Sequence, residues 1–163
     1  MITIQINDRE VRDALSELQR RVDDLRPAMH DIGQALTEGI VQRIRDGVDW
    51  NGRPFAPNSP ATLVKKRGNK PLIDTGNMVG SRLHYAAGRD AVEVGSSAIQ
   101  SAVLQFGAKR GEFGRTRHGA PLPWGDIPPR PFMPIADGNR LPESARRLVL
   151  GTIADYLAEA MKR

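Results

Sequence analysis

The feature that most limits what this chain can fold into is an apolar rhythm running from Val11 to Val48. Val11, Leu15, Leu18, Val22 and Leu25 stand four, three, four and three residues apart, which places all five on one narrow helical stripe. Pro27 interrupts it without abolishing it, because a proline in a first helical turn gives up an N–H that has no partner there. Met29, Ile32, Leu36, Ile40, Ile44 and Val48 then resume the stripe. The pattern predicts two helices in immediate succession, the second over 27–48. Joined at Arg26 and Pro27, they form either a hairpin or one kinked rod. The first stripe suits packing on its own domain or, as a short heptad-like seam, contact with another subunit. Ahead of it, Asp8 is placed to cap the helix, and Ile2, Ile4 and Ile6 alternate with Thr3 and Gln5 as in a short strand.

After the helices comes a stretch with neither helical nor strand period, Trp50 to Met78, read as a structured loop over 50–74. Pro54, Pro57 and Pro60 stiffen it, and Asp74 or Thr75 would cap a short helical turn over Gly76 to Ser81. Arg82 to Ala87 and Ala91 to Gly95 read as a hairpin across Gly88, Arg89 and Asp90. Ser96 or Ser97 would then cap a helix carrying Ile99, Ala102, Val103 and Phe106, closed by Gly107 in a left-handed conformation. From 108 to 129 the pattern dissolves into glycine, proline and charge, as in a long basic mobile loop. Arg130 to Ile135 reads as an extended edge segment because of its prolines. Pro142 opens a last helix with Ala145, Leu148, Val149, Ile153, Tyr156, Leu157, Ala160 and Met161 on one face. The fold class is α+β, with N-terminal helices and a C-terminal helix packed around a small, mainly antiparallel sheet.

A chain of 163 residues is most simply a single domain, 1–163. It has no cysteine, which excludes disulfides, thiolate nucleophiles and cysteine-based metal centres. No apolar run nears the roughly 20 residues that span a bilayer, and the N-terminus lacks a secretory pattern, so the expectation is a soluble, intracellular product. A net charge of +5 favours nucleic acid or an acidic protein partner.

Leu72-Ile73-Asp74-Thr75-Gly76 resembles the active-site turn of dimeric aspartic proteases, whose two carboxylates share a proton. Here Arg67-Gly68-Asn69-Lys70-Pro71 precedes it instead of a regular strand, and the echo at 86–90 follows too soon for a flap. A helix cap is the better account of Asp74 and Thr75, with Gly76 relieving backbone strain. His30, His84 and His118 are too scattered for a metal site, and no nucleophile elbow or phosphate loop is present. The chain is therefore expected not to be an enzyme and to need no cofactor. Two basic clusters, Lys65, Lys66 and Arg67 and then Lys109, Arg110, Arg115 and Arg117, would touch phosphates or an acidic protein surface. The few aromatics are not interleaved with them as a stacking platform requires. A stand-alone basic nucleic-acid-binding module is the alternative reading.

Trp50, Gly52, Pro54, Phe55, Pro57, Ser59, Thr62 and Lys65, then Leu72 to Gly76, Val94-Gly95, Gln105-Phe106-Gly107, Ile127-Pro128 and Arg130-Pro131-Phe132 follow in an order that resembles the phage virion morphogenesis family, the Mu-type tail completion or G proteins. Where that family often has Tyr-Ala at the start of the helix before Gln-Phe-Gly, and a His ahead of the Gln, this chain has Gln100-Ser101 and Leu104. The resemblance implies a structural protein acting in tail completion or head–tail joining, working as a homo-oligomeric ring at the head-proximal end of the tail. Its implied partners are the tail tube or tail terminator and head-completion or connector proteins, with non-specific DNA contact in the lumen and no membrane. It also implies a place in the host cytoplasm during assembly and then in the virion. Trp50, Phe55, Phe106, Arg130 and Phe132 are the candidate partner contacts.

Overall fold

A computed structural model describes residues 9–74, 82–136, 138 and 140–160, the side chains of Glu10, Val11 and Ala160 excepted. The elements in order are α1 (Arg9–Asp23), α2 (Arg26–Asp46), α3 (Pro60–Lys65), β1 (Leu83–Ala87), β2 (Val92–Ser96), α4 (Ser101–Phe106) and α5 (Glu143–Ala160). The α+β class is as expected, helices packed around a two-stranded antiparallel sheet. The expected strand over Met1 to Ile6, the cap at Asp8 and the turn over Gly76 to Ser81 lie outside the described residues.

Helix α2 is the hub. Its residues Ala28, Ile32, Leu36, Ile40 and Ile44, each four after the last, are all 5% exposed or less. Burying each large aliphatic among them contributes about 1.5–3 kcal/mol. Gly47, left-handed at φ 76 and ψ 27, ends the helix by donating its N–H to the Arg43 carbonyl. One flank of α2 packs on α5 and another on the β1–β2 hairpin, whose register runs from Leu83 opposite Ser96 to Ala87 opposite Val92. Gly33 permits that approach: a Cβ there would lie 2.3 Å from the Tyr85 ring. Tyr85 in turn sets its hydroxyl 3.0 Å from His30 Nε2 and meets the imidazole edge-on.

The junction of α1 and α2 is a kinked rod. The break is short, Leu25 keeps a right-handed conformation, and the two helices do not fold back on each other. Both lean on α5. The Arg21 guanidinium donates to the Tyr156 carbonyl at 2.6 Å and covers that residue's ring, and the Tyr156 hydroxyl donates to the Asp24 carbonyl. On α1's predicted stripe, Leu15 and Val22 remain 59% and 53% exposed, because α5 is the element α1 packs on and it reaches only part of the seam.

Three local expectations are corrected. Helix α4 starts at Ser101 and no side chain caps it; Ser96 Oγ is hydrogen-bonded to Ser101 Oγ at 2.7 Å instead. Gly107 closes α4 at positive φ, 77°, but with ψ −179 the chain leaves extended and not in the left-handed helical region. Residues 130–135 form no strand: Arg130 N donates to the Leu104 carbonyl, and Met133 N to the buried Gln105 Oε1, so the segment is pinned to the end of α4.

Candidate functional site

The loop after α2 closes on itself by local chemistry. Buried Asp49 accepts the backbone N–H groups of Asn51 and Arg53 at 2.8 Å each, and Gly52 turns the chain at φ 78. Phe55 N then reaches back to the Gly47 carbonyl, and Val48 bridges Pro54. That geometry drives Trp50 and Phe55 inward to 4% and 6% exposure. The indole lies on α2, where Gly39 leaves it room and Arg43 covers it at 5.0 Å. Its Nε1 donates to the Phe132 carbonyl at 2.9 Å, and its own carbonyl accepts the Ser144 hydroxyl at the start of α5.

Arg130 ties the loop's far side to the same structure. Its Nε donates to the Ala56 carbonyl and its Nη2 to the Pro57 carbonyl, both at 2.7 Å. Burial lowers its pKa from the usual guanidinium value. Two motifs far apart in the sequence are thus one unit: Arg130 and Phe132 hold the loop that Trp50 and Phe55 anchor. Of the five candidate partner contacts, Trp50, Phe55, Arg130 and Phe132 are interior, because each is occupied in holding the chain to itself. Phe106 alone among them is on the surface, 68% exposed.

The stretch 108–129 has more structure than its composition suggests. Ala108 and Ile127 exchange both backbone hydrogen bonds, Phe113 N donates to the Leu122 carbonyl, Leu122 N to Gly114, and Thr116 N to Ala120. The Leu122-Pro123 peptide is cis. Asp126 closes the base by accepting Arg110 N at 2.8 Å, and the backbone N–H of Arg110 and the Lys109 ammonium hold its carboxyl below the usual aspartate range. The result is a hydrogen-bonded arm, with Phe113 56% and Trp124 75% exposed. Sequence reasoning passed over Trp124, although a tryptophan between Pro123 and Gly125 has no helix or strand of its own to bury it.

A sequence profile of the phage virion morphogenesis family matches residues 6–159. The chain belongs to that family. No curated protein and no solved structure matches it. Within the family frame, the unit built from Trp50, Phe55, Arg130 and Phe132 is the scaffold of a bacteriophage morphogenesis protein, and the arm exposes Phe113 and Trp124. No described helix is long and apolar enough to cross a membrane, and no described group of acidic or histidine side chains is placed to hold a metal ion.

Lys65 and Lys66 of the first basic cluster and Lys109 of the second line adjoining grooves that share Ile127. One, of about 480 Å³, lies between Phe106, Lys109, Glu112 and Asp126 at the base of the arm. The other, of about 580 Å³, runs between α3, Leu72, Asp74 and Arg130. Helix α3 is an element the residue pattern did not announce: Ser59 caps it by accepting Thr62 N, Pro60 opens it, and Lys65 and Lys66 close it. Arg67, Arg110 and Arg117 are exposed, and Arg115 donates to the Gly119 carbonyl.

Proposed function

We propose that this family member is a non-enzymatic assembly protein that completes the phage tail or joins it to the head, and that it does so as a ring. The observation that carries the reading is the arm. A closed ring needs one surface of each subunit to fit a different surface of its neighbour. An internally hydrogen-bonded projection bearing Phe113, Trp124 and, at its root, Phe106 has the chemistry of such a surface, since aromatics exposed together mark protein contacts. The partners in this reading are the tail tube or terminator and the connector, met first in the host cytoplasm and then in the virion. The ring's lumen would pass DNA, with the basic grooves near phosphates and no base readout.

Asp74 lines the cleft and has no bond-breaking role in this reading, so Asp74→Asn should not abolish phage yield as loss of a catalytic carboxylate would. Particles lacking the protein should accumulate unjoined heads and tails, and native mass spectrometry with negative-stain microscopy should show closed oligomers or tail-end decoration. A protein that stays monomeric, ignores purified tails and connectors, and binds DNA in a salt-sensitive way would sink the proposal in favour of the nucleic-acid-binding module.

A further inference from the structure

We propose that the cleft between α3 and Arg130 binds an acidic peptide segment, a carboxylate flanked by apolar side chains. The two basic grooves differ in how far their charge is already answered. At the arm, Lys109 pairs with Asp126 at 3.4 Å and its backbone N–H is held by Glu112. In the cleft, Lys65, Lys66 and Arg130 face one carboxylate, Asp74, which makes no ion pair among the described residues. Three cations against one anion leave the lining at +2.

Arg130 supplies the second observation. It is 7% exposed, its Nε and Nη2 are occupied by the Ala56 and Pro57 carbonyls, and its Nη1 has no partner among the described residues, although the residue lines the cleft. No described side-chain nitrogen is both buried and without a partner, so Nη1 reaches the solvent of the cleft, where a carboxylate is its best geometric match. Lys66 lies close enough to feel it: desolvation first, and the Arg130 charge as well, push the ammonium's pKa down, against a pull upward from Asp74. Desolvation outweighs the Asp74 attraction at Lys66, and a second anion in the cleft would offset that cost.

The rest of the lining favours peptide over nucleic acid. Ala61, Leu72, Leu104 and Ile127 give the cleft an apolar side, and no aromatic side chain among the described residues lines it to stack a base. A cleft of about 580 Å³ takes a few side chains and not a duplex. Leu72 reaches its place at φ 62, a left-handed conformation that a leucine adopts only under constraint from its surroundings, as at ligand-binding walls. The cleft meets the arm only at Ile127, at the arm's base, and the inference does not rest on ring formation.

The test uses the full chain, isotope-labelled, with a terminally blocked hexapeptide of alternating leucine and glutamate, its leucine and glutamine counterpart, and hexathymidylate. The glutamate peptide should shift the amides of Thr62, Lys66, Leu104 and Arg130 saturably, and the glutamine peptide should bind at least about tenfold more weakly, a 1.4 kcal/mol difference. Lys65→Gln combined with Lys66→Gln should weaken binding several-fold while the amide spectrum stays folded, and Asp74→Asn should tighten it. Equal binding of the two peptides, equal or stronger shifts with hexathymidylate, or no saturable shift would overturn the proposal. Native mass spectrometry of the same samples reads ring formation separately, so either reading can fail alone.

Discussion

Two loops of similar residue content meet opposite fates in this molecule. The one after α2 sends Trp50 and Phe55 into the core, and the arm over 108–129 sends Phe113 and Trp124 into solvent. Both have turn glycines and prolines, and both are closed by backbone hydrogen bonds. The difference lies in what each side chain meets. Trp50 lands on Gly39 of α2 with a carbonyl accepting from its Nε1, whereas Phe113 and Trp124 stay 56% and 75% exposed on an arm that follows the short helix α4. An aromatic in a loop therefore marks an interior wherever the fold supplies a second surface, and a docking face where another molecule must supply it.

The comparison breaks most decisively at Trp50. Trp50→Ala should cost about 3–5 kcal/mol, the usual range for a deleted core aromatic, read by urea denaturation; a loss below about 1 kcal/mol would mean that this loop too is a surface. Arg130→Met should cost about 2–3 kcal/mol, since it strips charge-assisted hydrogen bonds from two carbonyls. Gly107→Ala acts at the arm's root, where a Cβ would lie 2.7 Å from the Ile127 carbonyl at a φ of 77; a loss of about 1–3 kcal/mol is expected, with amide shifts running into the arm. Trp124→Ala should change stability by less than about 0.5 kcal/mol while lowering oligomer yield, the signature of a face that acts between molecules.

The smallest effect is a titration. The Asp126 carboxyl is held below its ordinary value of 3.8, so the arm's base gains stability that is complete above that pH and fades as pH falls through the lower folded value. Carbon-detected NMR should place its midpoint under 3.8, and a midpoint above would sever the Arg110 and Lys109 contacts from the arm's closure.

Much of the scaffold was legible because long helices write themselves as periodicity: α2 and α5 lie where their apolar residues recur, and the β1–β2 turn where Gly88 and Asp90 stand. Helix α3 escaped because six residues are too few for a period, although Ser59 before Pro60 is a cap signature. The segment 130–135 read as an extended edge piece, its prolines ruling out a central strand, while its actual anchor, the Gln105 amide oxygen accepting Met133 N, is a tertiary side-chain bond that no local pattern encodes. The sharpest stripe misled in the other direction. Leu15 and Val22 have ideal helical spacing and stay exposed, because spacing forecasts a face and not what covers it. That Trp50 and Phe55 anchor the start of the loop in apolar surface was legible, but the bonds of Arg130 to the Ala56 and Pro57 carbonyls join segments more than seventy residues apart and no local pattern encodes them.

The clasp around Trp50 has a temporal side. Its indole waits for a carbonyl 82 residues later and its own carbonyl for a hydroxyl 94 residues later, so during synthesis the flank of α2 that packs on α5 stays uncovered until almost the whole polypeptide has been made. Folding is then a late, collective event dominated by distant contacts, slower than a local helix pairing and open to aggregation meanwhile. Premature stop codons before α5 should therefore yield insoluble fragments, and a supply of competent subunits for virion assembly would lag translation by the time this closure takes.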